Sequence, residues 1–195
     1  IGVSELFQIN TKSEQEDMHV IGRAQIFSGY LVLRMPKRSL YKIQEETVLV
    51  HELGHLFGAV HTAKRNTVMA PVVDKQLPTK FDDENREIIK KTRDLNFRKG
   101  REALDRKTAE RLIRSYVKLA KTDQSFEFFS AVGVTYIKLM QYDAAIESWK
   151  KAIELEPENP QARFDLGVLY YKRGKTSEAV KELSKAVNEL NLPSQ

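Results

Sequence analysis

The chain has 195 residues, of which 41% are hydrophobic and 30% charged, as is typical of a soluble globular protein with one ordinary domain or two small ones. It contains no cysteine, which excludes disulfide bonds and cysteine-ligated metal sites. The net charge of +5 comes from basic residues interleaved with acidic ones, so we expect no nucleic-acid partner. No apolar run is long enough to predict a membrane span.

The first third of the chain has the pattern of short β-strands. Apolar segments at residues 6–9, 19–21, 23–27 and 30–35 are separated by a polar stretch and punctuated by Gly29 and Pro36. These segments predict a small sheet.

Residues 44–58 change to a helical pattern and contain two histidines four residues apart. On a helix, His51 and His55 share a face about 6 Å apart along the axis, so both imidazoles can reach one zinc ion. Glu52 lies about 100° around the helix from His51, where it can take a proton from zinc-bound water. Gly58 can adopt a positive φ and end the helix, which lets His61 turn back to the same ion. Three histidines leave a fourth position for water, as in catalytic zinc sites.

Residues 51–61 resemble the zinc motif of the metzincin peptidases, and Met69 resembles the methionine of their Met-turn. The spacing to Met69 and Pro71 is similar to that of matrixins. Residues 20–25 and 30–34 are more similar to archaemetzincins, so the subfamily stays open. The resemblance covers about residues 20–89.

The resemblance implies a cofactor, a base and a substrate site. It implies one Zn²⁺ per chain with Glu52 as the general base, and substrate lying along an edge strand at residues 24–27. The segment after the Met-turn would wall the specificity pocket. The candidate substrate contacts are Ala24, Gln25, Ile26, Ala70, Val72 and Val73. Metzincin domains usually have more residues ahead of the motif, so the N-terminal part is expected to be minimal or incomplete.

The remainder of the chain predicts helices only. Asp82 and Asp83 suit the N-terminus of a helix over 82–97, and a second helix is predicted over 102–121. The last part repeats with a period of 34, matching Gly133 to Gly167, Tyr136 to Tyr170, Ala145 to Ala179 and Ala152 to Ala186. This spacing of small and large residues resembles the tetratricopeptide repeat.

These patterns predict an α+β fold class. A small metzincin-like catalytic domain, with a mixed sheet, an active-site helix and a C-terminal helix, would precede an all-α tetratricopeptide-repeat array. The predicted divisions are 1–99 for the peptidase domain, 100–125 for a connecting helix and 126–193 for two repeats.

The predicted function is a zinc metalloendopeptidase acting on a peptide or protein substrate, with a protein partner bound through the repeats. The alternative is a non-catalytic scaffold that binds peptides or proteins. A homodimer through the exposed end of the repeats is a further prediction. The compartment stays open between the cytoplasm and export after removal of a leader.

Overall fold

The computed structural model describes residues 8–9, 21–24, 26–27, 31–34, 42–73, 78–121 and 124–190. In these ranges the elements are β1 (Gln8–Ile9), β2 (Ile21–Ala24), β3 (Leu31–Arg34), α1 (Lys42–Leu56), β4 (Val72–Val73), α2 (Asp83–Thr92), a 3-10 segment (Phe97–Ala103), α3 (Arg106–Leu119), α4 (Phe126–Lys138), α5 (Tyr142–Leu155), α6 (Pro160–Lys172) and α7 (Thr176–Leu190). None of the helices described has both the length and the apolar character that crossing a bilayer requires.

The predicted α+β fold class is wrong, because the described residues form a helical array and their strands make only isolated pairs. β2 pairs antiparallel with β3, and the two-residue strands β1 and β4 pair in parallel. In the segment 23–27, predicted as a strand, residues 23–24 belong to β2, whereas Ile26 and Phe27 form a turn in which Phe27 has a φ of 54°. The side chains of Ile26 and Phe27 are buried in a core built by helices. Burial of these two side chains in the helical core favours a turn at residues 26–27, whereas a mixed sheet would need an extended strand there.

A hydrogen bond connects the C-terminal ends of α1 and α2. The Asp82 side chain caps α2 by accepting a hydrogen bond from the Asn85 backbone N–H, and Asp83 occupies the first turn, where the helix dipole favours a negative charge. α2 ends at Thr92, short of the predicted residue 97. There the Thr92 hydroxyl donates to the carbonyl of Phe57, 2.7 Å away, just beyond the end of α1.

The helix pairs α4–α5 and α6–α7 correspond to the two predicted repeats. A Cβ atom at Gly133 would lie 2.6 Å from Nε1 of Trp149, and one at Gly167 would lie 2.7 Å from Cγ of Leu183. Each glycine of the 34-residue period is therefore the point where the first helix of a pair meets a large side chain of the second.

A large hydrophobic core runs through the described structure from the N-terminal segment into the second repeat, and Ala59, Val68 and Met69 form a smaller separate cluster. The large core includes Phe27, Val60 beyond α1, Ile88 of α2, Tyr116 of α3 and Leu166 of α6. α3 packs against both α2 and α4. The predicted divisions at residues 99 and 125 remain predictions, and the core is continuous across both.

Candidate metal centre

Three histidine side chains meet in the interior of the molecule. Nε2 of His51 lies 3.1 Å from Nε2 of His55 and 3.1 Å from Nε2 of His61. The exposed fractions of the three residues are 1%, 1% and 5%. Among the described residues, this trio is the one group of three or more His, Cys, Asp or Glu side chains that could hold a metal ion.

The chain reaches His61 through a tight turn at the end of α1. Gly58 has a φ of 85°, and its N–H donates to the carbonyl of His55 at 2.9 Å. The N–H of Ala59 donates to the carbonyl of Gly54, also at 2.9 Å. This pair of bonds is the Schellman arrangement that ends a helix at a glycine in the left-handed region. It reverses the chain and carries His61 back alongside α1.

The loop after this turn is held by α2. Asn85 accepts a hydrogen bond from the N–H of Val60 and donates one to the carbonyl of Val60, each at 2.9 Å. The Thr67 hydroxyl donates to the Asp82 carboxylate at 3.0 Å and accepts from the Asp82 N–H at the same distance. Side chains at the start of α2 therefore fix both ends of the segment that contains His61.

Met69 lies against α1, the helix that carries His51 and His55. It is fully buried, and a Cβ atom at Gly54 would lie only 2.8 Å from its sulfur. The carbonyl of Met69 accepts a hydrogen bond from the N–H of Thr62 at 3.1 Å. Gly54, between His51 and His55, is thus the position at which α1 lies against the Met69 side chain.

The other ring nitrogen of each helical histidine faces a backbone carbonyl. Nδ1 of His51 lies 2.6 Å from the carbonyl oxygen of Val68, and Nδ1 of His55 lies 2.9 Å from that of Ala59. A carbonyl only accepts, so both Nδ1 atoms carry the proton and donate. In the neutral rings, Nε2 then presents its lone pair to the centre of the trio.

The third histidine faces a carboxylate. Nδ1 of His61 lies 3.0 Å from Oε2 of Glu127, the second residue of α4, and both side chains are buried. The distance is that of a close polar contact between a ring nitrogen and a carboxylate oxygen. A carboxylate oxygen this close places the ring proton on Nδ1, so Nε2 of His61 also presents its lone pair to the centre.

Charge and burial separate the protonation states of these groups. Burial, together with the neighbouring His55 and His61, holds the pKa of His51 well below its usual value. Burial raises the pKa of the Glu127 carboxyl, but its attraction to His61, its contact with that ring and its attraction to His55 lower the pKa to about 2. The structure therefore combines a neutral His51 with an ionised Glu127.

The donor set fits a zinc ion. Three imidazole lone pairs directed at one point repel each other unless a cation lies between them, and neutral imidazole is a preferred zinc ligand. Tetrahedral zinc with bonds of about 2.0–2.1 Å separates its ligand nitrogens by about 3.3 Å, close to the 3.1 Å found here. Ring N–H groups donating to carbonyls and a carboxylate are the usual outer partners of zinc-bound histidines.

The other predicted site residues have different surroundings. Glu52 follows His51 on α1 and is 1% exposed, while Ile26 and Ala70 have buried side chains. Ala24 ends β2, and Val72 and Val73 form β4. Gln25 lies outside the described residues. The assignment of these residues to catalysis or substrate binding stays a prediction.

Glu127 is the residue of the site that sequence reasoning missed. It belongs to the helical repeats, 66 positions after His61, and no zinc motif includes it. One signal was available, because Glu127 interrupts the aromatic run Phe126, Phe128 and Phe129, which a repeat must bury. An acidic residue in a segment that is buried this completely needs a partner.

Comparisons with known proteins agree with both resemblances found in the sequence. The family model described as Matrixin matches residues 9–93. Models described as TPR repeat and Tetratricopeptide repeat match residues 133–174 and 161–189. The recognition of a metzincin-like segment ahead of tetratricopeptide repeats is thereby confirmed.

Two curated relatives are named for their repeats. A TPR repeat-containing protein of Borreliella burgdorferi is 34% identical over 65 residues, which is 33% of this chain and 28% of that protein. A TPR repeat-containing protein of Methanocaldococcus jannaschii is 36% identical over 52 residues, or 27% of this chain and 9% of that protein. The chain spans less than a third of the length of either relative.

Proposed function

We propose that this protein is a zinc-dependent endopeptidase in which His51, His55 and His61 hold one Zn²⁺ and Glu52 is the general base. The observation that carries the proposal is the convergence of three Nε2 atoms, each directed inward because Nδ1 of the same ring faces an acceptor. The Matrixin match over residues 9–93 supports peptide-bond hydrolysis as the reaction.

The chain's own groups divide the chemistry between them. When bound, zinc supplies a Lewis acid that polarises the scissile carbonyl and lowers the pKa of a water molecule. His51, His55 and His61, as neutral ligands, would hold the ion without reducing its positive charge. Glu52, adjacent to a ligand on α1, takes a proton from the attacking water and then delivers it to the leaving amine.

The first test separates metal binding from catalysis with the variant Glu52→Gln, which keeps the shape of the side chain but cannot act as a base. The purified wild-type chain should contain about one zinc, and the variant should contain as much. Cleavage of a peptide library should fall by about 10²–10⁴-fold, the usual contribution of a general base. Zinc content is measured by atomic spectroscopy and cleavage by mass spectrometry.

Two controls make this test decisive. Glu46→Gln changes an exposed carboxylate on the same helix and should leave zinc content and cleavage unchanged. His55→Ala should lose both zinc and cleavage. Undiminished cleavage by Glu52→Gln would show that the assigned base is wrong. A wild-type chain that contains no zinc would contradict the proposed metal centre.

The repeats provide a surface for a protein partner or substrate. α4 and α6 line a cavity of about 420 Å³ together with Arg101 and Tyr142. In the alternative function, a non-catalytic scaffold, peptide binding at this surface would be the whole activity. A wild-type chain that binds peptides but cuts none, with zinc present and absent, would favour that alternative.

A further inference from the structure

A buried carboxyl side chain projects from α4, the first helix of the first repeat. Glu127 is 1% exposed and lies among the buried side chains of Phe126, Phe128 and Phe129. Removing a carboxylate from water is strongly unfavourable unless a partner compensates. The first turn of α4 favours a negative charge, and the group that the carboxylate contacts is the ring of His61.

His61 differs from the other two histidines in what supports it. His51 and His55 are fixed by α1, and their Nδ1 atoms donate to carbonyls of Val68 and Ala59 in the same part of the chain. His61 lies in the loop beyond α1, where no helix sets the direction of its ring. Its Nδ1 contact is made by a side chain from α4.

α3, which packs against α4, also holds the turn that leads to His61. The Tyr116 hydroxyl of α3 donates to the carbonyl of Gly58 at 2.7 Å, and both groups are buried. Tyr116 packs edge-on against Phe128, the residue after Glu127, with ring centroids 6.2 Å apart. α3 and α4 thus contact the loop at two points, one before His61 and one at its ring.

We propose that Glu127 is the positioning residue of the third zinc ligand, so that the first repeat completes the metal centre. The proposal rests on the zinc site of the proposed function. Glu127 selects the His61 tautomer with its proton on Nδ1, directs Nε2 towards the ion and increases the basicity of the ring. The repeat helix is then part of the peptidase site as well as a binding module.

Zinc affinity of the full chain tests this role. Competition with a chromophoric chelator gives the zinc Kd of the wild type, Glu127→Ala and Glu127→Gln. Both variants should bind zinc about 10–100-fold more weakly, the usual effect of losing an outer partner of a zinc ligand. Thr135→Val is the matched control, because Thr135 is equally buried in α4 and, in the described part of the chain, its hydroxyl donates within the helix, to the carbonyl of Ala131. Its Kd should equal that of the wild type.

A spectroscopic measurement separates positioning from general destabilisation. In the zinc-loaded wild type, the Nδ1 proton of His61 should give a downfield NMR signal, since it lies against a carboxylate. Glu127→Gln, nearly the same in shape, should move this signal upfield and leave the Nδ1 signals of His51 and His55 in place. A variant that only weakened the fold would shift all three signals or none.

The outcomes distinguish this proposal from the one on which it rests. Wild-type affinity in Glu127→Gln, with an unmoved His61 signal, would overturn the role of Glu127 and leave the zinc site standing. A wild-type chain that binds no zinc would overturn both. A weaker Kd with a selective shift of the His61 signal is the result expected.

Discussion

The geometry of a single glycine decides whether His61 can join the other two imidazoles. If α1 continued, His61 would lie about 9 Å beyond His55 along the axis and on another face. With Gly58 at a φ of 85°, Nε2 of His61 instead lies 3.1 Å from that of His51. The turn also leaves no room for a side chain, since a Cβ at Gly58 would lie 2.5 Å from the Phe27 ring and 2.8 Å from the Tyr116 hydroxyl.

Gly58→Ala should therefore lower the free energy of unfolding by about 2–4 kcal/mol, from backbone strain combined with overlap in a packed core. Gly174→Ala is the matched control, because Gly174 has a φ of 73° but a Cβ atom added there would meet no other group within 4 Å. It should cost only about 1 kcal/mol of strain. Denaturant unfolding measures both, and equal losses would mean that the contacts around Gly58 contribute nothing.

Residues that share a local motif could be predicted from the sequence, and a residue brought in from another segment could not. Helical spacing relates His51 to His55, and the conformational freedom of glycine relates both to His61. Glu127 reaches the site only because α3 and α4 pack against the loop, and that packing has no short-range signature. The acidic interruption of an aromatic run indicates that Glu127 needs a partner, but does not identify it.

At the scale of elements, the helices were more predictable than the strands. The acidic residues Asp82 and Asp83 place the start of α2 from local information, although α2 ends at Thr92 and not at residue 97. The segments predicted as strands gave one isolated pair of their own, β2 with β3, whereas β1 pairs with β4, which no prediction included. The pairing of a strand depends on a partner elsewhere in the chain. At Phe27 the helical core determines the local conformation, which overturned the predicted mixed sheet.

The connection between α3 and the end of α1 gives a test at the same scale. Tyr116→Phe removes the hydrogen bond to the Gly58 carbonyl while keeping the ring in the core. Burial raises the pKa of the Tyr116 hydroxyl, so the group remains a donor in the wild type at any ordinary pH. Loss of the bond leaves a buried carbonyl without this donor, and stability should fall by about 1–3 kcal/mol.

Tyr171→Phe serves as the comparison for this change. Tyr171 lies on α6 and is 70% exposed, so its hydroxyl can be replaced by hydrogen with an effect within about 0.5 kcal/mol. Urea unfolding of the two variants in parallel gives the difference. If both variants matched the wild type, α3 would not stabilise the turn through this bond.

Among the described residues, a large hydrophobic core extends across both parts of the chain, although the sequence resembles two separate families. Phe27 and Val60 belong to the same cluster as Trp149 and Leu166 of the repeats. Repeat arrays alone are stabilised by contacts between neighbouring helices. Here the first repeat also contacts the peptidase-like segment through α3 and the pair of Glu127 with His61. We therefore expect the two parts to unfold together.

The single tryptophan provides a direct test of this coupling, because Trp149 lies on α5 of the first repeat and is 3% exposed. Zinc that binds at the histidines should raise the unfolding temperature reported by Trp149 fluorescence. Free zinc at about 100 times its Kd stabilises the native chain by about 2.7 kcal/mol. For a chain of this size that corresponds to a rise of about 5–10 °C. His55→Ala should show no rise, and addition of a chelator should reverse it in the wild type. If the histidine NMR signals showed that zinc binds but the unfolding temperature reported by Trp149 did not change, the repeats would be an independent folding unit.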